Sequence, residues 1–277
     1  MLKRLNAQLD HLALESRDPQ RLANFYADLL QCSIQTGADF QRIVRDGRSL
    51  LFVEGSAKHL AYAGYAFVSA AELQAHEARL RDYKVDILRP MSPAWTDSAF
   101  AIRDPDGNRI EFGVAAPAGL RTTRSPAARL QHVVFATPEP EALEQFYVGS
   151  CGFLISDRVL DDAGGLRSVF LNSDPEHHAL AIFKASESRL DHHCYETAGW
   201  NDLRDWADHF AKRDVLLQWG PGRHGPGNNL FLFVNDPDGN WIELSAELEI
   251  LEDGRRHGVW KHEERTLNSW GHGKLRS

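Results

Sequence analysis

Apolar and polar residues alternate in short stretches along the chain, and two similar series of such stretches follow each other. Alternation predicts strands, whereas apolar residues that recur every three to four positions predict helices. In the first half the predicted strands are 9–15, 41–45, 49–54, 61–68, 84–88, 98–103 and 108–114, and the predicted helices are 19–31 and 70–81. In the second half the strands are 131–136, 153–159, 166–172, 179–184, 191–197, 215–219, 230–234 and 240–245, and the helices are 139–147 and 200–212.

The two halves are copies of one module. The strand "DHLAL" recurs 121 positions later as "QHVVF", and "FY" at 25–26 recurs at the same offset at 146–147. The turn "DPDGN" occupies 104–108 and again 236–240, so the second copy holds an insertion before its end. This duplication predicts an α+β fold of two tandem modules, each a pair of βαβββ units that forms a curved, cup-like mixed sheet.

Composition along the chain predicts where the modules begin and end. The first module is expected over 1–117, a linker rich in small residues, proline and arginine over 118–130, and the second module over 131–250. The remaining segment, 251–277, is polar and irregular. It is nevertheless expected to dock on the body of the protein, because it carries three large apolar residues, Trp260, Leu267 and Trp270.

The repeated turn fixes the position of one carboxylate in each copy. An Asp-Pro-Asp-Gly turn joins two strands and sets their register, and glycine tolerates the positive φ that such turns require. The glutamate three places after the asparagine is therefore delivered to a defined point on the sheet. These residues are Glu111 in the first copy and Glu243 in the second.

Composition and charge exclude several classes of protein. The net charge is −8 and there is no basic block, which argues against nucleic-acid binding. No apolar run approaches the length of a membrane span, and the N-terminus lacks the pattern of a signal peptide. The three cysteines, Cys32, Cys151 and Cys194, have no paired spacing, which favours reduced thiols in a cytoplasmic protein.

Histidines point to chemistry in the second copy, since ten of the thirteen lie at or after His132. His132, one histidine of the pair 192–193, and Glu243 lie on separate predicted strands of one sheet. Two histidines and one carboxylate form the facial set typical of non-heme Fe(II), and Mn(II) is a close substitute. In the first copy, His11 and Glu111 are present, but the matching segment 62–67 contains no histidine. The first copy is therefore expected to be metal-free.

Further histidines and aromatic residues are expected near this site. His177 and His178 open a predicted strand, and His224 lies in a Gly/Pro-rich loop. A histidine near neutral pKa is a plausible general base beside a metal. Aromatic residues of the second copy are candidates for an apolar pocket, although each is as readily explained as ordinary core: Phe183, Tyr195, Phe231 and Phe233.

At this point the sequence resembles the vicinal oxygen chelate superfamily, and within it the two-domain type I extradiol ring-cleaving dioxygenases. The resemblance covers roughly residues 8–248. Its most specific motif is a histidine, an aromatic position, Asp-Pro-x-Gly and a glutamate at set spacing. Here that motif reads "HGPGNNLFLFVNDPDGNWIE", from His224 to Glu243. The family has tyrosine where this chain has Phe233, which puts the usual hydrogen bond to a catecholic oxygen in doubt.

The resemblance implies an enzyme that cleaves an aromatic vicinal diol with O2, its co-substrate, in the degradation of aromatic compounds. It implies Fe(II), or Mn(II), held by His132, His192 and Glu243, with His192 preferred to His193. It further implies His178 as the acid–base residue and His224 beside the diol. The expected substrate contacts are His193, Phe183, Phe233, Tyr195 and Asn229.

Two alternatives stay open. The first is another metal-dependent member of the superfamily, such as a glyoxalase-like isomerase, although such enzymes typically build the site from two modules with extra glutamates. The second is a metal-free protein that binds a small ligand, against which the His/His/Glu set argues. The sheet edges and the tail are compatible with a homo-oligomer, and the sequence does not specify which diol is bound.

Overall fold

The computed structural model describes residues 4–95, 98–115 and 126–275, which form two mixed sheets with few helices. This confirms the predicted α+β class and the two tandem modules. The first module contains β1 (Ala7–Ser16), α1 (Pro19–Leu29), β2 (Ile34–Thr36), β3 (Gln41–Arg45), β4 (Arg48–Glu54), β5 (His59–Phe67), α2 (Ala70–Asp82), β6 (Ala99–Arg103) and β7 (Arg109–Val114). Its sheet has the order β2-β3-β4-β1-β5-β7-β6. No helix in the described residues has the length and apolar character of a membrane span.

The second module repeats this arrangement and extends it. It contains β8 (Arg129–Thr137), α3 (Pro140–Gln145), β9 (Leu154–Leu160), β10 (Leu166–Asn172), β11 (Leu180–Lys184), β12 (Arg189–Thr197), α4 (Trp200–Ala211), β13 (Trp219–Arg223), β14 (Leu230–Asn235) and β15 (Trp241–Ala246). The tail adds β16 (Gly258–Lys261) and α5 (Glu264–Leu267). The order of the sheet is β13-β14-β15-β12-β8-β11-β10-β9-β16, in which β16 runs parallel to β9.

Three predicted elements differ from the structure. The expected strand 84–88 is reduced to a single bridge between Leu88 and Ala101, and the expected strand 215–219 begins only at Trp219. Both segments follow a helix through a residue with positive φ, Lys84 or Asp214, which turns the chain out of an extended path. The expected helix 139–147 ends as α3 at Gln145 and continues as a π-helical turn, Phe146–Cys151. Most of the expected linker, 118–130, lies outside the described residues, and β8 has already begun at Arg129.

The two repeated motifs bind each other across the module interface. The Tyr26 hydroxyl of α1 donates to Asp236 Oδ2 in the second turn at 3.0 Å, and the Tyr147 hydroxyl donates to Asp104 Oδ2 in the first turn at 2.8 Å. Burial raises the pKa of both tyrosines well above the ordinary value, so both hydroxyls keep the proton that they donate. Each "FY" motif therefore closes the "DPDGN" turn of the other module.

The central strands of both sheets carry β-bulges at equivalent positions. The pairing of β1 with β5 skips Asp10 and Ala61, and the pairing of β8 with β12 skips Gln131 and Asp191. A bulge adds one residue to a strand and re-aims the side chains beside it, and bulges are frequent next to active sites. Three of these four residues are followed directly by a histidine.

Candidate metal centre

Three adjacent strands bring His132, His192 and Glu243 together. His132 lies on β8, His192 on β12 and Glu243 on β15, and all three side chains are buried. The Nε2 atoms of His132 and His192 each lie 3.2 Å from the same oxygen, Glu243 Oε2. The two imidazoles and the carboxylate therefore share one focal point.

The bulge residues orient the two imidazoles. Gln131 Oε1 contacts His132 Nδ1, and Asp191 Oδ1 lies 2.5 Å from His192 Nδ1. Because each oxygen accepts the Nδ1 proton, each Nε2 is left with a lone pair. Two such lone pairs and a carboxylate oxygen at one point repel each other unless a cation lies among them. The donor set thus fits a divalent metal ion.

Glu243 stays ionised despite its burial. Burial alone would raise its pKa, but hydrogen bonds from His132, His192 and His224, when these imidazoles carry a proton on Nε2, lower the pKa well below the ordinary value. Asn229 Nδ2 also donates to Glu243 Oε1 at 3.3 Å and to Ser245 Oγ at 3.0 Å, which fixes the plane of the carboxylate. A buried carboxylate that is ionised and oriented in this way is a suitable ligand for a metal.

Cys194 is a further potential donor that the sequence interpretation missed. Its sulfur, one nitrogen of His132 and one oxygen of Glu243 lie within 4.8 Å of one another. Burial, and next the charge of Glu243, raises the pKa of the Cys194 thiol well above its ordinary value, so the thiol stays protonated. A protonated thiol is a poor ligand. His192 is the other candidate for the third position, since it lines the cavity described below and Cys194 does not.

The first module has a filled counterpart of this site. Glu111 accepts from Trp95 Nε1, Arg109 Nε and the backbone N–H groups of Met91 and Ser92. Its carboxylate is therefore fully occupied by the protein. The Trp95 ring lies 4.6 Å from His11.

The bulges also correct the alignment of the two copies. The sequence pattern aligns residues 191–196 with 62–67. If the bulges at Ala61 and Asp191 are taken as equivalent positions, residues 191–196 align with 61–66 instead. Tyr62 thus occupies the position of His192, and a tyrosine stands where the metal centre has a ligand.

His178 lies beside the metal centre and is linked to a buried carboxylate. Its ring centroid is 4.3 Å from that of His132, and its Nδ1 is 3.0 Å from His177 Nδ1. His177 Nε2 in turn lies 3.2 Å from Asp157 Oδ2, although the N–H is poorly aligned with the oxygen. Burial, and next the charge of His132, lowers the pKa of His178 well below the ordinary value. The imidazole is therefore neutral and can accept a proton.

His224 is held by the C-terminal tail. Its Nδ1 donates to the Leu267 carbonyl at 2.5 Å, and its ring stacks on Phe231 with centroids 3.9 Å apart. As a result its Nε2 faces the metal centre, 3.5 Å from Glu243 Oε1. The sequence predicted His224 but gave no indication that the tail orients it.

Two residues predicted as substrate contacts lie away from the cavity. His193 and Tyr195 do not line the cavity, because neighbouring residues of a strand point to opposite faces and His192 points inward. His193 Nε2 instead lies 3.2 Å from the Tyr26 hydroxyl at the module interface, and the Tyr195 ring packs beside His193. The sequence suggested these residues because it does not reveal which of two adjacent histidines faces the ligand.

A cavity opens directly over the metal centre. The predicted Phe183, Phe233 and Asn229 line it together with the predicted ligands and His178 and His224. Its full lining is His132, Val134, Arg167, Ser168, Phe170, His178, Phe183, Lys184, His192, Trp219, His224, Pro226, Asn229, Phe233, Glu243, His262, Thr266, Leu267 and Lys274. The residues from β10 and from the tail were not predicted, since no motif marks them.

Phe233 forms part of the aromatic wall of this cavity. It pairs with Glu243 across β14 and β15, and its ring lies 5.2 Å from His192 with edge-on geometry. Trp219 stacks on it with centroids 5.3 Å apart. The position expected to carry a tyrosine hydroxyl therefore faces the site, as the resemblance implies, but presents only carbon.

Comparison with known proteins agrees with this architecture. The model of the Glyoxalase/Bleomycin resistance protein/Dioxygenase superfamily matches residues 8–112 and 129–244. Metapyrocatechase 2 from Cupriavidus necator is 28% identical over 297 residues, which cover 95% of this chain and 88% of that protein.

Solved structures share the fold. Homoprotocatechuate 2,3-dioxygenase from Arthrobacter globiformis superimposes with a TM-score of 0.85 at 20% identity, covering 99% of this chain and 91% of that one. A Mn(II)-bound glyoxalase from Novosphingobium aromaticivorans gives a TM-score of 0.84 at 22% identity, covering 98% and 92%. At these identities the likeness concerns the fold alone.

Proposed function

Because the chain belongs to the glyoxalase/bleomycin resistance protein/dioxygenase superfamily, we propose that it is an extradiol dioxygenase, which cleaves the ring of an aromatic vicinal diol with O2. Its similarity to a metapyrocatechase along nearly the whole chain supports this activity. The three ligands proposed for the metal are His132, His192 and Glu243.

One observation carries the proposal. Two imidazole Nε2 atoms approach one buried carboxylate oxygen at 3.2 Å, and all three residues line a cavity that aromatic side chains also line. Three protein ligands leave coordination positions open on an octahedral ion, which suits Fe(II), with Mn(II) as the second candidate. When bound, such an ion supplies a Lewis-acidic centre that both diol oxygens and O2 can reach.

His178 is the proposed general base. Its neutral imidazole lines the cavity next to His132, so it can take a proton from a diol hydroxyl. The Nδ1 atom of His178 contacts His177, which in turn contacts Asp157. The Nε2 atom of His178 therefore points away from these two residues. Proton removal makes the diol anionic and therefore a better ligand for a cation.

His224 and the aromatic wall complete the proposed site. His224 faces the carboxylate of Glu243 and is the second group able to hold a proton beside the diol. Phe183 and Phe233 pack against an aromatic ring and exclude water from it. Because Phe233 has no hydroxyl, the hydrogen bonds to the diol are left to the two histidines.

Oxygen consumption tests this function and separates it from an isomerase, which uses no O2. The protein is purified anaerobically, loaded with Fe(II) or Mn(II), and supplied with monocyclic and bicyclic catechols. We expect O2 uptake in step with loss of the diol and the appearance of a yellow ring-cleavage product. Isomerisation of a substrate without O2 uptake would contradict the proposal.

A ligand variant tests the metal centre. His192→Ala removes one of three ligands, so we expect it to fold, to bind no metal in elemental analysis and to consume no O2. The exposed His257→Ala is the matched control and should keep both properties. Full metal content in His192→Ala would mean that the ligands are assigned wrongly.

A further inference from the structure

The cavity has the opposite charge balance to the chain that surrounds it. The protein carries 39 acidic and 31 basic residues, with a net charge of −8. The cavity is nevertheless lined by three basic side chains, Arg167, Lys184 and Lys274, against a single carboxylate, Glu243. That carboxylate is already committed to the metal centre.

The two lysines are held by neutral groups. Lys184 Nζ donates to the Pro138 carbonyl at 2.9 Å. Lys274 Nζ donates to the Gln218 carbonyl at 2.6 Å and lies 5.1 Å from the centre of the Trp241 ring. Within the described part of the chain, neither ammonium group has a carboxylate at ion-pair distance.

Two arginines of the second module that do not line the cavity each have a carboxylate partner. Arg158 pairs with Glu144 at 2.6 Å, and Arg223 pairs with Glu247 at 2.7 Å. Lys184 and Lys274, which line the cavity, have carbonyl partners instead. Lys184 is half-buried, and a partly desolvated cation without a counter-charge attracts an anion, because the low dielectric of a protein weakens screening; Lys274 is more exposed and adds a second positive charge beside the same cavity.

The two lysines reach the cavity from separate elements. Lys184 ends β11, directly after the cavity residue Phe183, whereas Lys274 comes from the tail. The tail is fixed there, since the His272 carbonyl accepts from Trp219 Nε1 and Asn268 Nδ2, both at 3.2 Å. Both positions are thus held by the fold.

We propose that the substrate is an aromatic diol whose ring carries an anionic substituent, such as a carboxylate, which Lys184 and Lys274 bind while the diol faces the metal centre. This inference rests on the proposed function and adds the chemical class of the substrate.

Substrates of matched size test the proposal. Catechol bearing a carboxymethyl group is compared with catechol bearing an ethyl group at the same ring position, for both positions on the ring, by initial rates of O2 uptake. We expect kcat/KM to be at least tenfold higher for one of the acids, chiefly through KM, and the difference to shrink as salt is added. Equal or better use of the neutral diols would overturn the proposal.

Charge-removing variants locate the effect. In the double variant Lys184→Gln, Lys274→Gln we expect the ratio of kcat/KM for the acid to that for its neutral partner to fall to near one. The exposed Lys212→Gln, on the far side of α4, should keep the ratio of the unaltered protein. A ratio that survives in the double variant would mean that other groups set it.

A binding measurement keeps this inference separate from the proposed function. Phenylacetate, which has no diol, is titrated calorimetrically into protein without added metal, with benzyl alcohol as the neutral control. We expect phenylacetate alone to bind, and the double variant to lose that binding. If no diol drives O2 uptake, the proposed function fails. If neutral diols are cleaved and phenylacetate does not bind, only the proposal that the substrate carries an anionic substituent is refuted.

Discussion

Asp191 contacts His192, one of the three proposed metal ligands. Its carboxylate is buried beside His192 and accepts the Nδ1 proton, so it determines which nitrogen of the ring is left for a metal. Partners of this kind commonly change metal affinity by about 10–100-fold when they are removed. The same pair of residues, aspartate before histidine, occurs in the first module as Asp10 and His11.

This repetition provides a matched control for a prediction. Asp191→Asn should weaken metal binding by about tenfold or more, because the amide no longer fixes the tautomer of His192. Metal affinity is measured by competition with a chromogenic chelator. Asp10→Asn makes the same change in the first module and should leave the affinity unaltered. Equal affinities for both variants would show that Asp191 has no role in the metal centre.

Glu196 provides a prediction for pH. Burial raises the pKa of this carboxyl from 4.5 to about 7 in the folded protein. Between these pH values the folded protein keeps a proton that the unfolded chain has lost, so this group makes the protein less stable as pH rises from 4.5 to 7. Above about pH 7 this carboxyl is ionised in both the folded and the unfolded protein, so it lowers the stability no further.

Glu196→Gln should abolish this loss. The amide still accepts from the Leu248 N–H but does not titrate. Between pH 5 and pH 8 the variant should lose about 2 kcal/mol less of its free energy of unfolding than the unaltered protein. Urea unfolding at both pH values measures the difference, and the exposed Glu187→Gln should behave like the unaltered protein. Parallel pH profiles for both proteins would contradict the assignment.

The sequence allowed most side chains of the site to be predicted. Eight of the ten predicted residues line the cavity. Strand alternation and the spacing around "DPDGN" indicated His132 and Glu243, whereas the family resemblance implied His178 and His224.

His193 and Tyr195 do not line the cavity, because alternation from His192 puts both on the opposite face of β12. Bulges leave no reliable trace in a sequence. The bulge partners Gln131 and Asp191 were missed for this reason.

At the scale of elements, the tail is the part whose role the sequence did not reveal. Its large apolar residues predicted docking, but not that β16 extends the sheet beside β9 or that Leu267 binds His224. These contacts join residues that are distant in sequence, so no local pattern encodes them. The strand 84–88 was predicted and is absent because positive φ at Lys84 redirects the chain.

Truncation separates the tail from the ligands. A chain that ends at His257 keeps β8, β12 and β15, so we expect it to bind metal. It loses the acceptor that orients His224 and one wall of the cavity. We therefore expect kcat with the preferred diol to fall at least about tenfold, as loss of an acid–base group would cause. Undiminished turnover would mean that the tail is dispensable, and a chain that ends at Leu275 serves as the control.

For the whole molecule, the sequence predicted two modules but not how they meet. The reciprocal contacts of Tyr26 with Asp236 and of Tyr147 with Asp104 explain why both motifs are repeated. Each hydroxyl is buried at the interface, and its partner carboxylate is buried as well. The sequence of one module does not reveal either pair, because each tyrosine lies more than 40 positions from its partner in the other module.

Removing either hydroxyl should destabilise the whole protein. Tyr26→Phe and Tyr147→Phe should each lower the free energy of unfolding by about 1–2 kcal/mol, because a buried carboxylate loses a donor. Denaturant unfolding monitored by circular dichroism measures the loss. Tyr83→Phe, at an exposed position, should have no effect. If neither interface variant shifts the transition, the two contacts do not hold the modules together.

This exchange of tyrosines has a consequence for the origin of the molecule. A solitary copy would present a tyrosine without its carboxylate and a turn without its donor, whereas two identical copies face to face would satisfy each other. The polypeptide thus has the geometry of a homodimer whose subunits have become covalently continuous. Once they were joined, identical sequences were no longer required, so one former subunit could give up its ligands and still brace the other.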